Sequence, residues 1–509
     1  MKTNRLPLLS TQDLASRERK RPESHLRLAA LLTLAAFAAE SVAQQPPPRR
    51  RRGQGQQQQP MGDSAAVANQ PIARPRVTDG KVTAYVGADA YTVSHEIIRR
   101  AIILVQDGKI LRIGQDIEIP DGAATIDVKG KTITPGFVAM TTRGVGMRLG
   151  VTPQRGKFLD SFDPYDRMMK YALAVGITTA VTETATGGFG RFRRAPDGSI
   201  VEEAVDETKV CPCCGVAYLP YEPIFPTMPE PPQPRQHAVL KFTYGDLDQM
   251  LVKEAPFYHL NAGALTGSLN RHQWRENLKK AKDYVKAQAE HEAQTKAGKQ
   301  TTPPARTVSD DFIRLVKKEV SLRTDASSAT QIRDMLALAK EFDYNLILDG
   351  VQEGWLTADE LSAAKAQVVY TPRALRRPSP GREEETGSFA ETPALFERAG
   401  VQFALASLSP AVSLDGIAGR DLTSLPLEAA FAVRGGAKEK TALEALTINP
   451  ARMLGLADRI GSLDEGKDAD FLILDGAPLD YRTYVERAVI GGKVYYDRAD
   501  ERVLPDKGD

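Results

Sequence analysis

Short runs of alternating apolar and polar residues begin near Val82. Segments 97–105, 110–113 and 125–128 are rich in β-branched residues, with Asp107-Gly108 and Pro120-Asp121-Gly122 as turn signals between them. The pattern predicts a small antiparallel sheet over about 80–134. Beyond 135 the texture changes. Apolar runs at 178–181, 345–348, 367–370 and 402–406 alternate with helical stretches. One of these stretches places Ile332, Met335, Leu336 and Ala339 on a single stripe. Strand–helix alternation over 135–455 predicts a parallel α/β barrel. After Asn449-Pro450 strand patterns return at 470–474 and 488–496. Strands at both ends around an α/β core predict a composite β-domain, 80–134 plus 456–503.

Two stretches interrupt the barrel. Residues 195–240 carry all three cysteines and the Pro-rich run MPEPPQP, and 268–300 are dense in charges of both signs and in good helix formers. The second predicts a long exposed helix.

The first 43 residues predict an export signal. A basic segment with Arg17, Arg19, Lys20, Arg21 and Arg27 precedes a 12-residue apolar run at 28–39, and Ser41-Val42-Ala43 offers small residues for cleavage. Residues 44–79 are Pro, Gln and Arg with little to bury, which predicts a disordered linker. No other stretch approaches a membrane span, so none is expected in the mature chain.

Composition narrows the classes. The chain has 509 residues, 42% hydrophobic and 26% charged, with a net charge of +2. Residues 1–43 carry a net +3, leaving −1 on the remainder, which argues against a nucleic-acid binder. Six histidines and three cysteines leave few soft ligands for a metalloenzyme of this length.

Several segments match a known family. Segment 103–136 (ILVQDGKILRIGQDIEIPDGAATIDVKGKTITPG) resembles the N-terminal segment of the amidohydrolase superfamily, and 442–480 (ALEALTINPARMLGLADRIGSLDEGKDADFLILDGAPLD) resembles its C-terminal segment. GITTAV at 176–181, followed by Gly187-Gly188-Phe189-Gly190, resembles the second barrel strand and its loop. The resemblance covers about 80–497 with the two insertions, and among members it is similar to imidazolonepropionase-like metal-dependent hydrolases. It implies an α/β fold, a (β/α)8 TIM-like barrel with a small composite β-sandwich. It also implies hydrolysis of a non-peptide C–N bond by water activated on a divalent metal at the C-terminal strand ends.

The family's ligand motifs are degenerate here. Its first His-x-His falls on Thr141-Thr142-Arg143, and a second on Asp325-Ala326-Ser327. A Glu-His-Gly motif falls on Leu348-Asp349-Gly350, and the strand-eight Gly-(Thr/Ser)-Asp on Ala406-Ser407-Leu408. Leucine can neither bind metal nor move a proton. His25 lies in the signal, His95 in the β-domain, His237 in the Pro-rich insert, and His272 and His291 in the charged helix. Only His259 falls near the barrel. Asp325 and Asp349 have the chemistry to bind a hard cation, but an ion pair with Arg143 fills the same pocket more simply.

Cys211, Cys213 and Cys214 are the other constellation, with His237 as a fourth ligand for zinc or copper. A redox or intermolecular disulfide, or no role, are the alternatives.

The leading expectation is therefore an exported, metal-free homologue with no cofactor at the barrel site. It would act as a binding or partner subunit, as a homodimer or beside an intact amidohydrolase relative. The alternatives are an active hydrolase with an altered centre at Asp325 and Asp349, or a cysteine-based metal or redox site at 211–214.

Overall fold

The computed structural model describes residues 80–147, 161–183, 191–194, 200–203, 237–260, 265, 268–382, 385–412, 421–501 and 503. All of them lie in one compact unit, 63–509. The export signal, the linker and the cysteine cluster lie outside the described residues.

In chain order the strands are β1 (Thr83–Ala90), β2 (Ile98–Gln106), β3 (Lys109–Gly114), β4 (Ala124–Asp127), β5 (Thr132–Pro135), β6 (Phe137–Arg143) and β7 (Ile177–Glu183). A small hairpin, β8 (Arg191–Arg194) and β9 (Ile200–Glu203), follows. Next come β10 (His237–Lys241), β11 (Leu251–Glu254), β12 (Phe257–Leu260), β13 (Ser321–Ala326), β14 (Leu346–Gly350), β15 (Gln367–Tyr370) and β16 (Phe403–Leu405). Last are β17 (Phe471–Leu474), β18 (Val485–Ile490) and β19 (Lys493–Asp497).

Strands from both ends of the chain share one sheet, ordered β19-β18-β17-β5-β1-β2-β3, with β4 also on β1. β17 runs antiparallel to β5, Phe471 opposite Pro135 and Leu474 opposite Thr132. The β2–β3 hairpin turns on Asp107 and Gly108, both at positive φ (52° and 75°). Aspartate–glycine tolerates that conformation, whose twist matches the flanking strands. One face of this sheet buries Tyr85, Ile103, Ile133 and Phe471, and the Tyr85 and Phe471 rings meet edge to face at 5.0 Å.

The middle of the chain forms two further ladders. β12 to β16 are successive parallel neighbours, and β6 and β7 are parallel to each other. All seven residues of β7 are buried, as expected of a strand covered on both faces. The expected all-parallel arrangement fails at β10, which runs antiparallel to β7 with His237 opposite Glu183 and Lys241 opposite Thr179. β11 then folds back antiparallel on β10. The physical reason for that return is length. Only residues 242–250 separate β10 from β11, and a parallel crossover needs a dozen or more. Ala255 at φ 42° and Pro256 then jog the chain from β11 into β12. At the other end, the Arg143 backbone N–H donates to Pro410 O at 2.9 Å, joining the end of β6 to the segment after β16.

The helix Ala329–Phe342 buries the anticipated stripe of Ile332, Met335 and Leu336. Ser328 and Gln331 close a reciprocal capping box at its start. The helix Ser268–Lys296 is less exposed than its charge suggests. It buries Trp274, Leu278 and Ala281 on one stripe, and Trp274 stacks on Tyr258 at 5.9 Å and meets Phe312 at 4.9 Å.

A buried ion cluster joins β10 to the chain entering β17. Lys241 Nζ donates to Asp468 Oδ2 at 2.7 Å and forms an ion pair with Asp470 Oδ2 at 2.6 Å, and all three side chains are 2–3% exposed. Asp468 also accepts from Lys109 at 3.1 Å and Arg459 at 2.8 Å.

Candidate functional site

The antiparallel entry of β10 sets the first residue of that strand beside the last of β7. Glu183 and His237 are direct cross-strand partners. His259 reaches the same point from β12. His237 Nε2 and His259 Nδ1 lie 3.2 Å apart and share a hydrogen bond. Glu183 Oε1 lies 3.5 Å from His237 Nε2 and 3.8 Å from His259 Nδ1. All three residues are buried. A cation bound tetrahedrally at about 2.1 Å separates its ligand atoms by about 3.4 Å. The trio already stands near that spacing, and the donor set is two imidazoles and a carboxylate, which suits zinc and related divalent cations.

A second group overlaps the first. Asp325 and Asp349 are register partners on β13 and β14, and a ligand atom of each lies within 4.8 Å of one on His259. Asp349 is already engaged. Arg323 Nε donates to its Oδ1 at 3.1 Å and Oδ2 at 2.8 Å. The same guanidinium donates to Met140 O at 2.7 Å and Thr141 Oγ1 at 2.6 Å, and it lies over the Phe257 ring at 4.8 Å. Burial pushes the Asp349 carboxyl up to about 6. Arg323 opposes that rise, and the carboxylates of Asp325 and Glu183 add to it.

The anticipated residues fall into three groups. Thr141, Asp325 and Asp349 converge on the site. Arg143 is exposed at the end of β6. The expected partner of the aspartates was Arg143; the structure gives that place to Arg323, whose strand adjoins β14 in register. Ser327 serves the neighbouring helix, its Oγ donating to Gln331 Oε1 at 3.1 Å. Leu408 is 37% exposed beyond β16. His237, expected in the insert as a fourth ligand to Cys211, Cys213 and Cys214, instead opens a buried strand. The cysteines themselves lie outside the described residues.

Sequence reasoning missed Glu183 and Arg323. Glu183 had a signal, being the acid that ends the apolar run ITTAVTE before a Gly-rich segment. His237 likewise opens the apolar run HAVLK. Arg323 had none, because a lone arginine in a strand is legible only once its partners are known.

Fold and site define an α/β protein that gathers ionisable and ligating side chains at the ends of its central strands, the usual place for chemistry in such folds. The family model for the amidohydrolase family matches residues 393–495. The imidazolonepropionase of Thermoplasma acidophilum is 37% identical over 67 residues, 12% of this chain and 16% of that protein. The N-acetylglucosamine-6-phosphate deacetylase of Bos taurus is 42% identical over 55 residues, 11% and 13%. These matches thus span less than a fifth of the curated relatives. A solved amidohydrolase from Thermotoga maritima MSB8 is 26% identical with a TM-score of 0.58, over 82% of this chain and all of the other. The chain is thus similar to the amidohydrolase family in sequence over residues 393–495 and to a solved amidohydrolase in fold over most of its length. The likeness implies a TIM-like barrel with a composite domain. Among the described residues the central strands make two ladders rather than one continuous ring.

Proposed function

We propose that this protein is a cation-dependent hydrolase of an amide or related C–N bond, with its cation held by Glu183, His237 and His259. The observation that carries this reading is the mutual spacing of those three ligand atoms, 3.2, 3.5 and 3.8 Å, on three buried side chains. The family positions at Thr141, Arg143 and Leu408 have lost their ligands, and this trio offers a replacement set on different strands. A divalent cation, when bound, lowers the pKa of its water and polarises a carbonyl. The chain's own residues supply the rest. Asp349, fixed by two bonds from Arg323, is the proton acceptor and donor, with the carboxyl raised toward neutral pH as general acid–base work requires. Thr141 and Met140 O hold the guanidinium still. Export with cleavage near Ala43, and a homodimer or a pairing with an intact relative, belong to the same reading. The apolar run at 28–39 supports export.

The Arg323–Asp349 ion pair favours a second reading, a metal-free binding subunit whose pocket is closed by that pair. Elemental analysis of the purified, dialysed protein separates the two. The first reading expects a tightly held divalent metal that is lost in Glu183→Gln and His259→Ala, and hydrolysis of simple N-acyl substrates that falls with it. Wild-type protein that binds no zinc, manganese or cobalt at micromolar concentration sinks the first reading and leaves the second.

A further inference from the structure

We propose that the Arg323 guanidinium is a built-in cation that restricts this site to a single metal ion. The inference rests on the Glu183–His237–His259 reading above. The two ligand groups share His259, one continuing to Glu183 and His237 and the other to Asp325 and Asp349. By donor type, such an arrangement could serve two neighbouring ions. Arg323 stands in the way. It is 2% exposed, it takes both oxygens of Asp349 through Nε, and it is braced on Met140 O and Thr141 Oγ1.

Charge balance points the same way. Glu183, Asp325 and Asp349 contribute three negative charges, Arg323 one positive, and neutral imidazoles none. The remaining two negative charges are neutralised by one divalent ion. A second would leave an excess of two positive charges beside Glu183, His237, His259 and Arg323, all of them buried, where uncompensated charge is costly. Unlike a bound ion, a covalently attached guanidinium cannot dissociate. It keeps Asp349 in one orientation whether or not the pocket is loaded.

Replacing the charge should therefore open the second position. Apoprotein is titrated with Co²⁺ by calorimetry, and the metal retained after gel filtration is counted by elemental analysis. Wild type should bind one equivalent. Arg323→Gln, which removes the charge but keeps hydrogen-bonding groups, should bind two. Asp325→Asn should leave the wild-type count at one, and in the Arg323→Gln background should return two to one. Arg323→Gln that melts cooperatively yet stays at one equivalent overturns the proposal. So does wild type binding two, and in that case the hydrolase reading stands. Wild type binding none refutes the hydrolase reading itself. If Arg323→Gln does not fold, the surface-accessible Asp325→Asn decides. An unchanged count of one supports the proposal, and a fall from two to one overturns it.

Discussion

Replacing Lys241 with methionine tests how the central strands are fastened to the terminal sheet. Lys241 Nζ sits 2.7 Å from Asp468 and 2.6 Å from Asp470, and every partner is almost fully buried. Asp468 retains Lys109 and Arg459 in the variant, but among the described residues the Asp470 side chain keeps only the Gly491 N–H donating to its Oδ1 at 2.7 Å. Removing one partner of a buried ion pair costs about 3–5 kcal/mol because the other charge is left uncompensated. Lys241 serves two carboxylates that would then face each other, so the loss should fall in the upper half of that range. Urea unfolding, followed by the fluorescence of the two tryptophans, measures it. Adding Asp470→Asn should recover part of the loss, since the amide oxygen still accepts from Gly491 without carrying charge. The pH dependence has a definite sign. Burial alone would raise the Asp468 carboxyl, but Lys241, Arg459 and Lys109 outweigh it and hold it well below the ordinary aspartate range. A depressed carboxyl stabilises the fold above its unfolded value of about 3.9 and loses that contribution as pH falls through the folded value. The gap between wild type and Lys241→Met should therefore be full at pH 6 and narrow below pH 4. A loss under about 1 kcal/mol that stays constant between pH 3 and 7 would refute the reasoning.

Two further substitutions probe the frame of the site. Trp274→Ala should cost about 3–5 kcal/mol and release the helix Ser268–Lys296, because Trp274 is its main anchor against Tyr258 and Phe312. Hydrogen exchange confined to that helix is the readout, and unchanged protection there counts against the docking role. Gly176→Ala should destabilise by about 2–4 kcal/mol. Gly176 has φ +91°, and a Cβ there would stand 2.7 Å from Leu472 Cδ1 and 2.8 Å from the Phe137 ring. A thermal melt within a degree of wild type would contradict this.

The sequence by itself determined the local pieces. Alternation at 83–90 and 98–106, the aspartate–glycine turn at 107–108, the stripe on Ala329–Phe342 and its Ser328 cap depend only on neighbours a few residues away. The two end segments also pointed to the amidohydrolases, to which the chain is similar, and to the sheet shared by strands from both ends. The site was legible only in part. Thr141, Asp325 and Asp349 were found because family motifs fall on them, and His259 was noticed as a lone histidine. The low histidine count suggested a centre without metal ligands, yet two of the six histidines, His237 and His259, meet over Glu183. Nothing near His237 in the chain says that its strand enters antiparallel to β7, and in the opposite direction Glu183 and His237 would lie at opposite ends. The Arg323–Asp349 pair likewise depends on the β13–β14 register, since a slip of one residue would turn either side chain to the other face. Strand direction and register are fixed by burial and pairing summed over the whole fold, and those sums exist only once the chain has closed on itself.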